Sequence, residues 1–205
     1  MTLPRSPFLL LVSFALVLVP FLGAVTPSFA QTTASDVMDR ATVKSFVERA
    51  AALTESRVSN AADAYDFFDS TFRPTGEWNR GSIYIYVMNT RGIMRFHGAN
   101  QSLEETSLYN HRDKNGVYYV RELIAAAEAG GGYVEYLFDN PDVVGDEEEG
   151  SPKVGYAELL DLSGERLLIG SGYYPAVSTP IAPPLALLAL ATLLAGGAYR
   201  RWRQR

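Results

Sequence analysis

The sequence predicts an α+β domain: a long N-terminal helix packed on a five-stranded antiparallel sheet, with one helix inserted between the second and third strands. Three observations carry that expectation. Apolar residues recur at steps of three and four through residues 35–72; the period then falls to two; and helical spacing returns over 117–129, until Gly130-Gly131-Gly132 stops it. Strands and helices in separate runs, without strict alternation, mark the α+β class.

The first stretch sets Val43, Phe46, Val47, Ala50, Leu53, Val58, Ala61, Tyr65, Phe68 and Phe72 at helical spacing, with Lys44, Glu48, Arg49, Glu55 and Asp63 between them. It reads as one amphipathic helix or a helix in two pieces, closed at Arg73-Pro74 because proline cannot continue a helix. Over 82–89, Ile83, Ile85 and Val87 alternate with Tyr84, Tyr86 and Met88, and Asn89-Thr90-Arg91-Gly92 turns the chain into a second strand at 93–98. After the inserted helix, strands are expected at 133–139, 153–161 and 165–174, joined by the acidic loop 140–152 and the turn Leu162-Ser163-Gly164.

The two ends differ from this middle. Residues 1–30 follow the secretory signal pattern, with Arg5 ahead of an apolar run over 8–21 and small residues at Ser28 and Ala30 where a signal peptidase reads. Residues 181–199 carry no charge and would span roughly 28 Å as a helix. Arg200, Arg201, Arg203 and Arg205 follow them. The expectation is therefore an exported domain at 31–179, tethered outside the cytoplasm by a C-terminal anchor at 180–199 with a basic cytoplasmic tail at 200–205. A removable sorting tail has the same hydrophobic-then-basic order.

Charge and composition narrow the function. Residues 31–179 hold 13 of the 18 Lys+Arg but all 23 Asp+Glu, a net charge of −10. Nucleic acid is not an expected partner, since its binding begins with clustered cations. No cysteine is present, so disulfides, thiolate metal sites and a Cys nucleophile play no part. The two histidines, His97 and His111, do not fit a zinc spacing, and Asp146 to Glu149 lack the alternating ligands of a calcium loop. Ile169-Gly170-Ser171-Gly172 departs from the G-x-S-x-G order, and its glycines read as bend points of the last strand. Neither an enzyme nor a cofactor is expected.

One group of residues could form a binding site. Tyr84 and Tyr86 share a strand face, and neighbouring strands could bring Tyr133 or Tyr136, His97 and Lys153 beside them. A cation with hydroxyl and imidazole donors in an apolar concavity suits a short carboxylate.

The series of motifs resembles the single Cache domain, an extracytoplasmic sensor module with a PAS-like sheet. The resemblance is carried by Gly81-Ser82-Ile83-Tyr84-Ile85-Tyr86-Val87 with Arg91-Gly92, by Phe96-His97, and by Asp113-Lys114-Asn115-Gly116 before the inserted helix. It continues through Gly131-Gly132-Tyr133-Val134-Glu135-Tyr136, Lys153-Val154-Gly155-Tyr156 and Ile169-Gly170-Ser171-Gly172-Tyr173-Tyr174. Gly98 replaces the proline that usually follows the histidine, Glu105 stands near an expected glycine, and Arg166 near an expected tryptophan. The resemblance implies a pocket on one sheet face for a small organic molecule, often a short carboxylate. Such domains commonly precede a cytoplasmic output module. With only 200–205 beyond the expected anchor, the signal is expected to pass to a separate signalling or transport protein. The alternative is a membrane-tethered structural or adaptor domain with a vestigial pocket.

Overall fold

A computed structural model describes residues 31–176. The expected signal peptide, anchor and basic tail lie outside the described residues, among which no helix is long and apolar enough to cross a membrane. Of the two readings of the first periodic stretch, one helix or two pieces, the structure has two pieces. Helix α1 (Arg40–Arg57) starts at Asp39, whose carboxylate accepts from Thr42 N at 2.8 Å, while Thr42 Oγ1 accepts in return from Asp39 N. Helix α2 (Ala61–Phe72) starts at Asn60, whose side chain accepts from Asp63 N at 3.0 Å. The break between them is clamped by the turn at Ser163: its N–H donates to Ser59 O, and Ala61 N donates back to Ser163 O.

A two-stranded ribbon not expected from the sequence follows, β1 (Asn79–Arg80) pairing with β2 (Ile83–Tyr84). The main sheet then begins with β3 (Tyr86–Asn89) and β4 (Met94–His97), the hairpin expected at Asn89 to Gly92. There the Asn89 side chain accepts from Arg91 N and Ile93 N, and Gly92 takes φ 77°, a conformation favouring glycine. Helix α3 (Tyr119–Glu128) is the inserted helix, and β5 (Gly132–Phe138), β6 (Ser151–Leu159) and β7 (Leu167–Tyr173) complete the sheet. The order is β4-β3-β7-β6-β5, antiparallel throughout.

Period two gives the sheet two apolar faces and hence two cores. Ile83, Ile85, Val87, Phe96 and Ile169 face α1 and α2, packing on Phe46, Phe68, Phe72 and Trp78. Burying each such phenylalanine contributes about 1.5–3 kcal/mol. Tyr84, Tyr86, Met88 and Leu168 face the other way, under α3 with Val120, Leu123 and Ala127. The candidate site lies in this second core.

Candidate ligand-binding site

Between the sheet and α3 lies a small cavity of about 20 Å³, walled by Tyr84, Tyr86, His97, Tyr136 and Lys153, with Met88, Met94, Leu108, Tyr119, Val120, Leu123 and Phe138 closing it. That volume admits roughly one water molecule. Five of the six residues singled out from the sequence thus converge, and Tyr133 does not. Tyr133 and Tyr136 are an odd number of residues apart on β5, so they point to opposite faces. The Tyr133 hydroxyl donates to Arg40 O at 2.7 Å, on the α1 side, and its ring packs 5.0 Å from that of Tyr156.

Lys153 is the cation of the cavity. It projects from β6, is 2 % exposed, and donates to the Tyr84 hydroxyl at 2.8 Å. Its ammonium sits 4.4 Å from the Tyr84 ring centroid, 4.9 Å from that of Phe138 and 4.8 Å from that of Tyr174. Among the described residues it forms no salt bridge. Burial pulls its pKa down to about 7, the negative charge of Asp139 opposing that shift.

His97 ends β4 and is buried against Tyr84, ring centroids 4.7 Å apart. Its Nδ1 accepts from Asn100 N at 2.9 Å, which leaves the proton of the neutral ring on Nε2 as a donor. Burial, followed by the positive charges of Lys153 and Arg73, holds its pKa down at about 3. Burial raises the pKa of Tyr84, Tyr86 and Tyr136, so all three remain protonated. The Tyr86 hydroxyl has no hydrogen-bond partner.

The floor of the cavity is glycine. A Cβ at Gly170 would lie 2.5 Å from the Tyr86 hydroxyl, one at Gly172 2.7 Å from Lys153 Cε, and one at Gly155 3.1 Å from the Tyr136 hydroxyl. These glycines make room for the polar side chains, whereas the sequence suggested bend points. The roof is Tyr119, in the first turn of α3, stacked on Tyr136 with centroids 4.9 Å apart and planes at 11°. Asp113 fixes the loop before α3: its carboxylate accepts from Val117 N at 2.8 Å and from Leu137 N of β5 at 2.9 Å. Tyr119, Phe138 and Tyr174 were not singled out from the sequence. The signal for Phe138 was its parity with Tyr136 on one strand; Tyr119 had the helical spacing of Leu123.

The donors here are one ammonium, several phenols and an imidazole N–H, a set suited to an anion. Among the described residues no group of three or more His, Asp or Glu side chains could hold a metal ion.

A family model described as a Cache domain matches residues 34–175. Among solved structures the chain is similar to a methyl-accepting chemotaxis protein from Vibrio parahaemolyticus RIMD 2210633, at 27% identity over 65% of this chain and 84% of that one, TM-score 0.48. It is also similar to a periplasmic sensor domain of a chemotaxis protein, at 25% identity over 65% of this chain and 88% of that one, TM-score 0.50. A third structure, described as carboxylic acid recognition by a Cache chemosensory domain, matches at 21% identity over 65% of this chain and 86% of that one, TM-score 0.49. The family model spans both cores and every strand of the sheet, and the chain belongs to the Cache domain family of extracytoplasmic sensor modules.

Proposed function

We propose that this domain senses a short carboxylate bound between its sheet and α3, with Lys153 as the charge partner. The observation that carries the reading is a buried ammonium surrounded by aromatic faces and one hydroxyl, without a salt bridge among the described residues. An unpaired charge out of water costs several kcal/mol, and a ligand carboxylate removes much of that cost. Tyr84 and the Nε2–H of His97 then donate to its oxygens. Binding biases the ensemble of α3 and the loop before it, since both close the cavity. An anchor at 180–199 and a separate signalling or transport protein as receiver belong to the same proposal, and concern residues outside those described.

The test is thermal denaturation of the purified full-length protein with a panel of short carboxylates, amino acids and purines. A ligand at 100 times its dissociation constant adds about 2.7 kcal/mol of stability. Lys153→Ala is expected to abolish the shift. A carboxylate response that survives in Lys153→Ala sinks the assignment. The small volume of the cavity, about 20 Å³, favours the second reading, a structural or adaptor domain whose pocket is vestigial. Its signature is a panel with no response at all.

A further inference from the structure

Lysine occurs three times in this chain, at positions 44, 114 and 153. Lys44 and Lys114 are exposed and paired with Glu48 and Glu149. Lys153 is their opposite. It is buried, no carboxylate pairs with it among the described residues, and its hydrogen bond goes to the Tyr84 hydroxyl. Of the titratable groups around it, burial keeps Tyr84, Tyr86, His97, Tyr119, Tyr136 and Tyr174 uncharged at neutral pH, and Asp139 brings a negative charge.

An amine in such surroundings gives up its proton easily, because desolvation works against the ammonium. A neutral amine is a nucleophile, and what reaches it here is decided by size. The adjoining cavity, about 20 Å³, has room for roughly one water. Carbon dioxide suits that space better than a larger electrophile. It carries no charge, so it enters an aromatic-walled cavity without the desolvation cost that an ion bears. Once its carbon is bonded to Nζ, only two oxygens need room beyond the lysine.

We infer that Lys153 is a carbon dioxide acceptor, adding the gas reversibly to form a carbamate held by the polar side chains of this cavity. In that step the Nζ lone pair forms the N–C bond, one C=O π pair moves onto its oxygen, and Nζ gives one proton to water. The product is an anion. The Tyr84 hydroxyl, 2.8 Å from Nζ, turns to donate to a carbamate oxygen. The Nε2–H of His97 and the Tyr86 hydroxyl, which is buried without a partner, wall the same cavity and supply further donors. Dissolved carbon dioxide thereby turns a neutral site into an anionic one. This goes beyond the carboxylate reading and does not need it, since a bound acid pairs with the ammonium whereas carbon dioxide reacts with the amine.

The test is chemical trapping on the full-length protein, held at about pH 7.5 under isotopically labelled carbon dioxide. A trialkyloxonium salt esterifies any carbamate, and peptide mass spectrometry reads which lysine holds the label. Label on Lys153 is expected to exceed that on Lys44 or Lys114 at least about a hundredfold, since exposed lysines ordinarily keep their proton until about 10.4. At a fixed carbon dioxide pressure it should grow as pH rises through about 7. A carbamate carbon resonance is expected in the wild type and not in Lys153→Met. Label on Lys153 no greater than on the other two lysines overturns the inference. So does bicarbonate held only as a free ion, seen as a thermal shift without trapped label. The wild type alone locates the label, so the result stands even if Lys153→Met fails to fold. Either failure leaves the carboxylate reading to its own test, in which the probe is an organic acid.

Discussion

Lys153 works against the fold that holds it. Burial lowers its pKa from 10.5 to about 7, so the sign of the effect follows directly. Below pH 7 the folded and unfolded chains both hold the proton, and the fold bears the whole penalty of a desolvated charge. Between about 7 and 10.5 the unfolded chain keeps a proton that the folded one has shed, so stability from this group rises with pH. Lys153→Met should therefore stabilise the ligand-free protein by on the order of a few kcal/mol at pH 6, with a gain that shrinks by pH 9, as measured by urea denaturation at the two values. Glu105 is a second residue under strain: it is not glycine and has φ 59°. The Cache resemblance expects a glycine near this position, and the backbone supplies the reason. Glu105→Gly should raise stability by roughly 0.5–1 kcal/mol in the same assay, since the exposed ion pair it loses with Arg95 contributes little. Arg95 keeps both of its bonds to Glu165. At this scale much was legible. Residue type selected Tyr84, Tyr86, His97, Tyr136 and Lys153, and strand parity alone could have removed Tyr133.

Among the elements, β6 and β7 are shaped by what they lack. Gly170→Ala would drive a methyl group into the Tyr86 ring, the three nearest atoms all belonging to that side chain at 2.5–2.7 Å. The expected loss is about 1–3 kcal/mol, most of it recovered in a Tyr86→Leu background; a double-mutant cycle by denaturation would show that coupling, and additive losses would refute it. The sequence placed these glycines on the last strand but could not say which ring lay above them, because that depends on pairing between distant segments. Register is nonlocal, whereas a helix cap is not. Ser59-Asn60 followed by Asp63 was a readable start signal for α2, and it explains why one periodic stretch became two helices. The β1–β2 ribbon went unread because strands of two residues carry no period.

Among the described residues the five-stranded sheet lies between two cores, and one end of it is tied by Glu165. That carboxylate accepts from Arg95, Asn89, Arg91 and Tyr65, which joins the β3–β4 hairpin and α2 to the start of β7. Its pKa is held down at about 2, chiefly by Arg95, while burial holds that of His97 at about 3. Both groups are depressed, so their stabilisation is complete above their unfolded values of 4.5 and 6.5 and is lost as pH falls through the folded ones. Urea midpoints should therefore decline between about pH 6 and 2, and Glu165→Gln should flatten the part of the decline below 4.5. The fold class and strand order of appearance were legible from periodicity, but which sheet face carries the site was not, since both faces are apolar. On the carboxylate reading proposed above, the stack of Tyr119 on Tyr136 would give this architecture a clock. A ligand larger than water would enter the small cavity when α3 lifts its first turn, and leave by the same event. Arrival and departure would then be timed by the protein's own opening and not by collisions, so such a detector would average its surroundings over the interval between openings and be blind to briefer pulses.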